Sequence, residues 1–520
     1  MLEKKNYKSP SHKLIEFFEK SRDNWKSKCV TAKYNIKLLK TTIRDLRISR
    51  ENWKNKCKVR EQELRKQESQ MEIMQIKLDE LKKNFDRIKE PNPENSFKIR
   101  PRNHSYSTDQ ITLFILMILE GAIGFRASSR IMRLNNQFFN LSLPVPTGNT
   151  GRLWLMRLGY YKLIRPKQKA TDWIWIIDHT IQLGKEKCLL ILGIRLCDMP
   201  VAGRCFSHED LEPIELYPVN KSNGEIVYQQ LEETVEKTGV PRAIISDHGS
   251  DLNVGVKLFC KQHAETSQLY DIKHKTAAIL KRELSHDENW NEFIKKANRT
   301  KKQVQQTDLA FLQPPNQKTK ARYMNVGELI QWVVNIQYFM NHHTQQAKPE
   351  YDLNHIKEKF GWIEDYQQDI DGWKEMFDVI NQTEQFVRHQ GLSFDNCREL
   401  CFQLPFEYKQ ERSERLNNEL IQFVSQQTSC VNPNECLPAS SEIIESCFGK
   451  QKQIEKTQAK KGFTGLILTL PALVAKTTHD IVHQALESVP TKQVIDWYRQ
   501  RFGQSIQAKR KNAFANLSIK

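Results

Sequence analysis

The chain has 520 residues, too many for one ordinary domain and enough to bury at least one sizeable core. Lysine and arginine outnumber aspartate and glutamate by enough to give a net charge of +18, which favours a polyanion, nucleic acid first, over a small neutral metabolite as partner. The sequence has no apolar run of 18 residues, and "MLEKKNYKSPSHK" is not a leader pattern, so the expected place is the cytoplasm, at the nucleoid, with no membrane partner.

Residues 1–90 carry a heptad seam. Alternate steps of three and four from Ile15 pass through Phe18, Trp25, Ile36, Leu39, Ile43, Leu46 and Trp53 to Phe85, and only four of its 21 positions are polar. A period of 3.5 held this long predicts a coiled coil and self-association through it. "SRDNWKSKC" at 21–29 returns as "SRENWKNKC" at 49–57, four heptads later, so the repeat keeps the seam in register. The arm holds 25 Lys and Arg against 14 Asp and Glu, which reads either as a solvated helix surface or as a second contact with phosphates.

Residues 91–104, rich in proline and poor in apolar side chains, form a linker. Three helical patterns follow in 105–166, the first capped by Ser107 or Thr108 and the third near Thr147. Three short helices predict a helix-turn-helix-like domain that would offer Asn149, Thr150, Arg152 and Arg157 to a major groove; the plain alternative is a three-helix core with exposed arginines.

The period changes at 167–284. "DWIWIIDHT", "KCLLILGIRL", "EPIELYPV", "RAIISDH" and "TSQLYD" read as strands, "SNGEIVYQQLEETVEKTG" as a helix with Ser222 and Glu225 at capping-box spacing, and "IKHKTAAILKREL" as a further helix. Such an order predicts a mixed sheet flanked by helices. Residues 285–436 turn polar and helical, 437–462 contain one more helix, and 463–520 read as a basic helical C-terminal region. Eleven scattered cysteines without a CxxC pair read as reduced thiols, though Cys397, Cys401, Cys430 and Cys436 have the softness for zinc.

Asp178 and Asp247 each end a strongly apolar strand. An acid there is expensive unless solvated, paired or bound to a cation; the ordinary reading is a turn residue accepting backbone hydrogen bonds. Two such acids in a basic chain favour Mg²⁺, with Mn²⁺ as a substitute, because carboxylate oxygens and phosphate oxygens suit the same hard ion.

The ordered motifs carry a resemblance. A strand with Asp178, a hairpin, a helix, a strand with Asp247, then "YDIKHK", a helical stretch and "IIESCFG" together resemble the DDE transposases with an RNase H-like core. The bacterial Mutator-like and the hAT groups are nearest. Asp271 and His274 match the Cys or Asp, two residues, then His of those groups. Ile444, Glu445 and Ser446 match one form of their last motif, and Glu445 with Phe448 the other, with Gly449 where serine is usual.

The resemblance implies a multidomain chain with an α/β RNase H-like core interrupted by an all-helical insertion. It also implies strand cleavage at transposon ends and joining of the freed 3′ hydroxyls to target DNA, with Asp178, Asp247 and Glu445 as catalytic and metal-holding acids. Asp271 and His274 would support the site, and Lys452, on the same helix as Glu445, would meet a phosphate. Glu283 competes for the third position, with 35 residues between it and Asp247 as in integrases of the retroviral type. Glu442 reads as a helix-start acid favoured by the dipole. A non-catalytic, coiled-coil DNA-binding protein with a decayed core is the alternative.

Overall fold

In the computed structural model, the described residues are 99–183, 186–199, 206–219, 221–317, 326–343, 352–405, 407–456 and 465–502, with 10, 12–33, scattered positions from 36 to 54, 510 and 512–514. They fall into two units, residues 1–95 and 96–520.

The first unit is helical wherever it is described between 12 and 54. Its seam residues Ile15, Trp25, Leu39 and Ile43 stay at least half exposed within the single chain, a cost that burial against another helix would relieve. The seam beyond Trp53 lies outside the described residues.

The second unit opens with α1 (Thr108–Leu119), α2 (Phe125–Phe138) and α3 (Gly148–Ile164). Ser107 and Gln110 close a reciprocal capping box on α1, and Thr147 caps α3. α3 is not the exposed reading helix expected from its sequence. Trp154, Leu155, Leu158 and Leu163 are buried, and α1 shares a core with Leu466, Leu473, Val482 and Leu486 from the C-terminal region. Gly159 lies against the Leu468 carbonyl so closely that any Cβ would collide with backbone. Residues 105–166 and 465–489, separate regions by sequence, therefore share one core.

The fully buried Lys162 fastens them, donating to the carbonyls of Val474 (2.8 Å) and Ala475 (2.7 Å) and to Thr477 Oγ1 (2.8 Å). Burial lowers its pKa to about 7.

The sheet contains β1 (Trp173–Leu183), β2 (Glu186–Arg195), β3 (Glu212–Val219), β4 (Ala243–Ser246) and β5 (Ser267–Tyr270). Their order is β3-β2-β1-β4-β5, with β2 antiparallel to both neighbours and the β1/β4 and β4/β5 pairs parallel. The strands alternate across two cores. Trp173, Trp175 and Ile177 pack with α4 (Gly224–Thr238) and α5 (Ser250–Gln262) on one face, while Ile174 and Ile176 face the core shared with the later helices. The cap of α4 is Asn223, which accepts from Ile226 N, and not Ser222. Asn223 is the better placed because the helix begins at Gly224.

α6 (Ile272–Ser285) leads into the insertion: α7 (Glu288–Val304), α8 (Val326–His343), α9 (Leu353–Phe360), α10 (Gln367–Gln390), α11 (Phe394–Gln403) and α12 (Glu411–Thr428). Trp290, Phe293 and Trp373 belong to one continuous core with the sheet, with α7 and α10 packed on α6 and Phe423 and Gln427 of α12 against Tyr270 of β5. The chain returns through an antiparallel bridge between Leu392 and Leu437 and a two-pronged pair from Arg242 to Glu435 (2.8 and 2.6 Å). It then forms α13 (Glu442–Lys456), followed by α14 (Thr469–Leu473), α15 (His479–Ser488) and α16 (Thr491–Phe502). No described helix is long and apolar enough to cross a membrane.

Candidate active site

Sheet register brings the first two acids together. β1 and β4 pair as Ile174 with Ala243, Trp175 with Ile244 and Ile176 with Ile245, so two more residues along, Asp178 comes level with Asp247. Asp178 is on the side of Ile174 and Ile176, facing the core of the later helices. Its Oδ1 accepts from the His179 N–H (2.6 Å), and Asp247 Oδ1 accepts from the Gly249 N–H (2.8 Å). Burial, reinforced by the charge of Asp247, pushes the Asp178 carboxyl up to about 7.

The parallel pairing of Ser246 with Tyr270 continues the logic into β5 and sets Asp271 at the same end of the sheet. Asp271 is spent on structure. One oxygen caps α6 at the His274 N–H (2.8 Å), while the other accepts from Ser441 Oγ (3.0 Å) and from the Ser441 N–H. The Ile272 N–H adds a bond to the Ala439 carbonyl (3.0 Å). A single buried carboxylate thus ties the start of α6 to the start of α13 across 170 residues of chain.

The consequence is a contact between the two helices. Glu445, one turn into α13, lies 2.8 Å from His274 Nε2, one turn into α6. Burial opposes a proton on His274, but the Glu445 hydrogen bond and the Asp271 charge carry its pKa to about 9, so the pair is imidazolium and carboxylate at neutral pH. The same bond, working against burial, holds Glu445 below its ordinary range. Ile444, Cys447 and Phe448 anchor the other side of α13 in the core and fix the direction of Glu445.

His248, directly after Asp247, has φ of +55°, a conformation that costs a non-glycine residue free energy and collects at functional sites. Its ring stacks on Tyr270 at 4.0 Å and meets Gln268 Nε2 at 3.1 Å, which braces the loop carrying Asp247. Sequence reasoning missed His248, Tyr270 and Ser441. The "DHG" after a strand was a signal for the first, whereas nothing local marks the other two.

The rival glutamates are committed elsewhere. Glu442 forms ion pairs with Lys273 (3.2 Å) and Arg388 (2.6 Å). Glu283, nine residues beyond His274 and so roughly 13 Å along α6, pairs with Arg282 (2.9 Å) and Arg412 (3.3 Å). Lys452 is exposed two turns beyond Glu445. A cavity of about 840 Å³ runs beside α13, lined among others by His208, Arg388, Glu442, Ile443 and Ser446.

The donor set of Asp178, Asp247 and Glu445 is all carboxylate, the chemistry that suits Mg²⁺. Among the described residues no three His, Cys, Asp or Glu side chains are grouped closely enough to hold an ion as they stand, and Glu445 directs Oε1 to His274. That result also covers the four cysteines considered for zinc: Cys430 and Cys436 donate to the Gln427 and Gln390 carbonyls instead.

The residues proposed to read DNA do not share one surface. Arg157 is buried and donates to the Val489 carbonyl (2.6 Å), to the Leu486 carbonyl and toward His104, so its guanidinium is turned into the core and away from a phosphate or a base. Arg152 is half-buried, with its Nε shielded and without a hydrogen-bond partner. Thr150 meets Thr147 Oγ1 at 2.9 Å, and Asn149 is exposed. The C-terminal region thus covers the part of α3 that carries Arg157, while Asn149 in its first turn stays exposed.

No family model matches the chain, and no curated protein does. Among solved structures, the Drosophila P element transposase strand transfer complex matches at 12% identity and a TM-score of 0.36, over 78% of this chain and 99% of that one. At that level of likeness it assigns no residue here a role.

Proposed function

We propose that the chain is a DDE-type DNA transposase that hydrolyses one strand at transposon ends and joins the freed 3′ hydroxyl to target DNA. The observation that carries the reading is the convergence of Asp178, Asp247 and the Glu445–His274 pair at one end of a mixed sheet in which only β2 runs against its fellows. That strand order and sense support an RNase H-like core.

Asp178, Asp247 and Glu445 would hold Mg²⁺, which when bound supplies a Lewis acid for the phosphate and a more acidic water. The protein's own residues do the rest. The imidazolium of His274 keeps Glu445 ionised and aimed. His248 and Tyr270 hold the Asp247 loop, and Lys452 meets the strand's phosphate along α13. Hydrolysis forms a bond from water oxygen to phosphorus and breaks the bond from phosphorus to the 3′ oxygen, which leaves as a hydroxyl. In joining, that hydroxyl attacks a target phosphodiester and displaces another 3′ oxygen.

The coiled coil would pair copies of the chain so that two ends are handled together. Removal of residues 1–90 should then lower the mass found by sedimentation, and an unchanged mass overturns that part.

One arrangement favours the non-catalytic alternative: Glu445 already has a cationic partner, and among the described residues no three His, Cys, Asp or Glu side chains are grouped closely enough to hold an ion. Labelled DNA from either side of the coding sequence, where a mobile element carries inverted repeats, incubated with full-length protein and Mg²⁺ separates the two. Nicking at the repeat boundary supports the transposase, and binding without nicking supports the alternative.

A further inference from the structure

α2 carries arginine at 126, 130 and 133, but no lysine, aspartate or glutamate. Steps of four and three place those side chains within an arc of about 60° along roughly 10 Å of helix. All three are exposed, and so is Gln137 on the same stripe, while Phe125, Ser128 and Met132 are buried on the opposite side against α1 and α3. None of the three makes an ion pair among the described residues, whereas Arg165, Arg195, Arg242 and Arg412 of the same unit each have an acid.

A stripe of guanidinium groups left without carboxylates favours an anionic partner with a repeating charge. Duplex DNA presents one phosphate per strand for every 3.4 Å or so of rise, so 10 Å of helix spans about three. Arginine rather than lysine fits planar, two-pronged contact with phosphate oxygens.

The same helix ends in an apolar tip. Leu134, Phe138 and Phe139 are 60%, 83% and 63% exposed, and the two rings stand edge to face at 5.2 Å. Apolar wedges beside basic stripes are the means by which proteins enter a base step and kink a duplex.

We propose that α2, and not α3, is a duplex-DNA-binding surface: Arg126, Arg130 and Arg133 seat on consecutive phosphates of one strand, and Phe138 with Phe139 presses against a base step. The surface is independent of the acid cluster, so its test reads binding and not cleavage.

Full-length protein and a fluorescent random duplex, titrated by anisotropy at several salt concentrations, give both affinity and the number of phosphates neutralised. R126A/R130A/R133A should bind roughly 10- to 100-fold more weakly and flatten the slope of log K against log salt by about 2.7, at about 0.9 per contact. The lysine triple variant should keep the slope and recover part of the affinity. F138S/F139S should keep the slope but lose the fluorescence rise of a 2-aminopurine placed within the duplex. An unchanged slope in the arginine variant, with circular dichroism showing an intact fold, overturns the proposal. So does a drop in sedimented mass in F138S/F139S with DNA binding unaltered, which would make the tip an interface between copies. Failure of the acid-cluster reading would appear only in cleavage and leave these results standing.

Discussion

The two ends of α6 treat negative charge in opposite ways. Toward its C-terminal end three carboxylates have matching cations: Glu283 with Arg282 and Arg412, Asp287 with Arg412, and Glu419 with Arg282, Glu419 reaching back to Lys275 in the first turn as well. Against the cost of burial, those hydrogen bonds hold Glu419 and Asp287 below the usual carboxylate range. At its N-terminal end Lys273 is taken by Glu442 and His274 by Glu445, and among the described residues Asp178 and Asp247 have no ion pair with an arginine or lysine. The chain had the arginines to balance both ends. A fold that leaves an acid such as Asp178 without a cationic partner beside a core gives up stability there, and the Mg²⁺ proposed above would supply the missing positive charge.

The largest effect expected from that contrast is on cleavage. Asp178→Asn, Asp247→Asn and Glu445→Gln should each reduce Mg²⁺-dependent nicking roughly a thousandfold or more, the several kcal/mol of charge stabilisation that a held metal supplies. Glu283→Gln and Glu442→Gln should stay close to the unaltered chain. Cleavage lost in Glu283→Gln and kept in Glu445→Gln would exchange the two ends of α6.

Stability should move the other way. Glu283→Gln leaves Arg412 short of a partner and should lower unfolding free energy by about 1–3 kcal/mol, whereas Asp178→Asn should stabilise the metal-free protein at neutral pH. Denaturant melts of both variants measure this. A destabilised Asp178→Asn would mean that its carboxylate is already compensated.

The pH dependence sharpens the same point. Because the Asp178 carboxyl is raised from 3.8 to about 7, the folded protein binds the proton more tightly than the unfolded chain. Its contribution is complete below pH 4 and is lost as pH rises to 7. Metal-free protein should therefore lose stability across that window relative to Asp178→Asn, and Mg²⁺ should raise the melting temperature more at pH 8 than at pH 5. For His274, raised from 6.5 to about 9, the stabilising contribution is present below 6.5 and lost on the way to 9.

The smallest effect is local. Glu445→Gln should bring the His274 pKa down from about 9, toward or below the usual imidazole range, as followed by its ring proton resonances in NMR. A value that stays near 9 would show that Asp271 alone holds the proton.

The apolar runs around Asp178 and before Asp247 were legible as strands, but Asp178 does not, as expected, end its strand. β1 continues to Leu183 because its ladder with β2 carries on beyond the short β4, and only Asp247 follows directly on a strand end. Asp271, His274 and Glu445 were singled out through the motif resemblance rather than by a local pattern. The role of Asp271 was not legible. It reads as a site residue by motif, yet its carboxylate ties Ser441 to the start of α6, a bond between segments that no local pattern relates. Arg157 fails for the same reason, since its partners are carbonyls of residues 486 and 489, which sequence reading had left in a separate tail.

By itself the sequence determined which segments would be helix or strand and that Asp178 and Asp247 would lie on or beside apolar strands, since apolar periodicity and capping act within a few residues. The tertiary structure decided which of those carboxylates would be neutralised. Glu283 and Glu445 are both glutamates on amphipathic helices, and only the packing of α12 and α13 against α6 gives one an arginine and the other an imidazolium beside two more acids. Charge compensation depends on distances of a few ångströms between elements far apart in the chain, and those distances exist only once the core has closed.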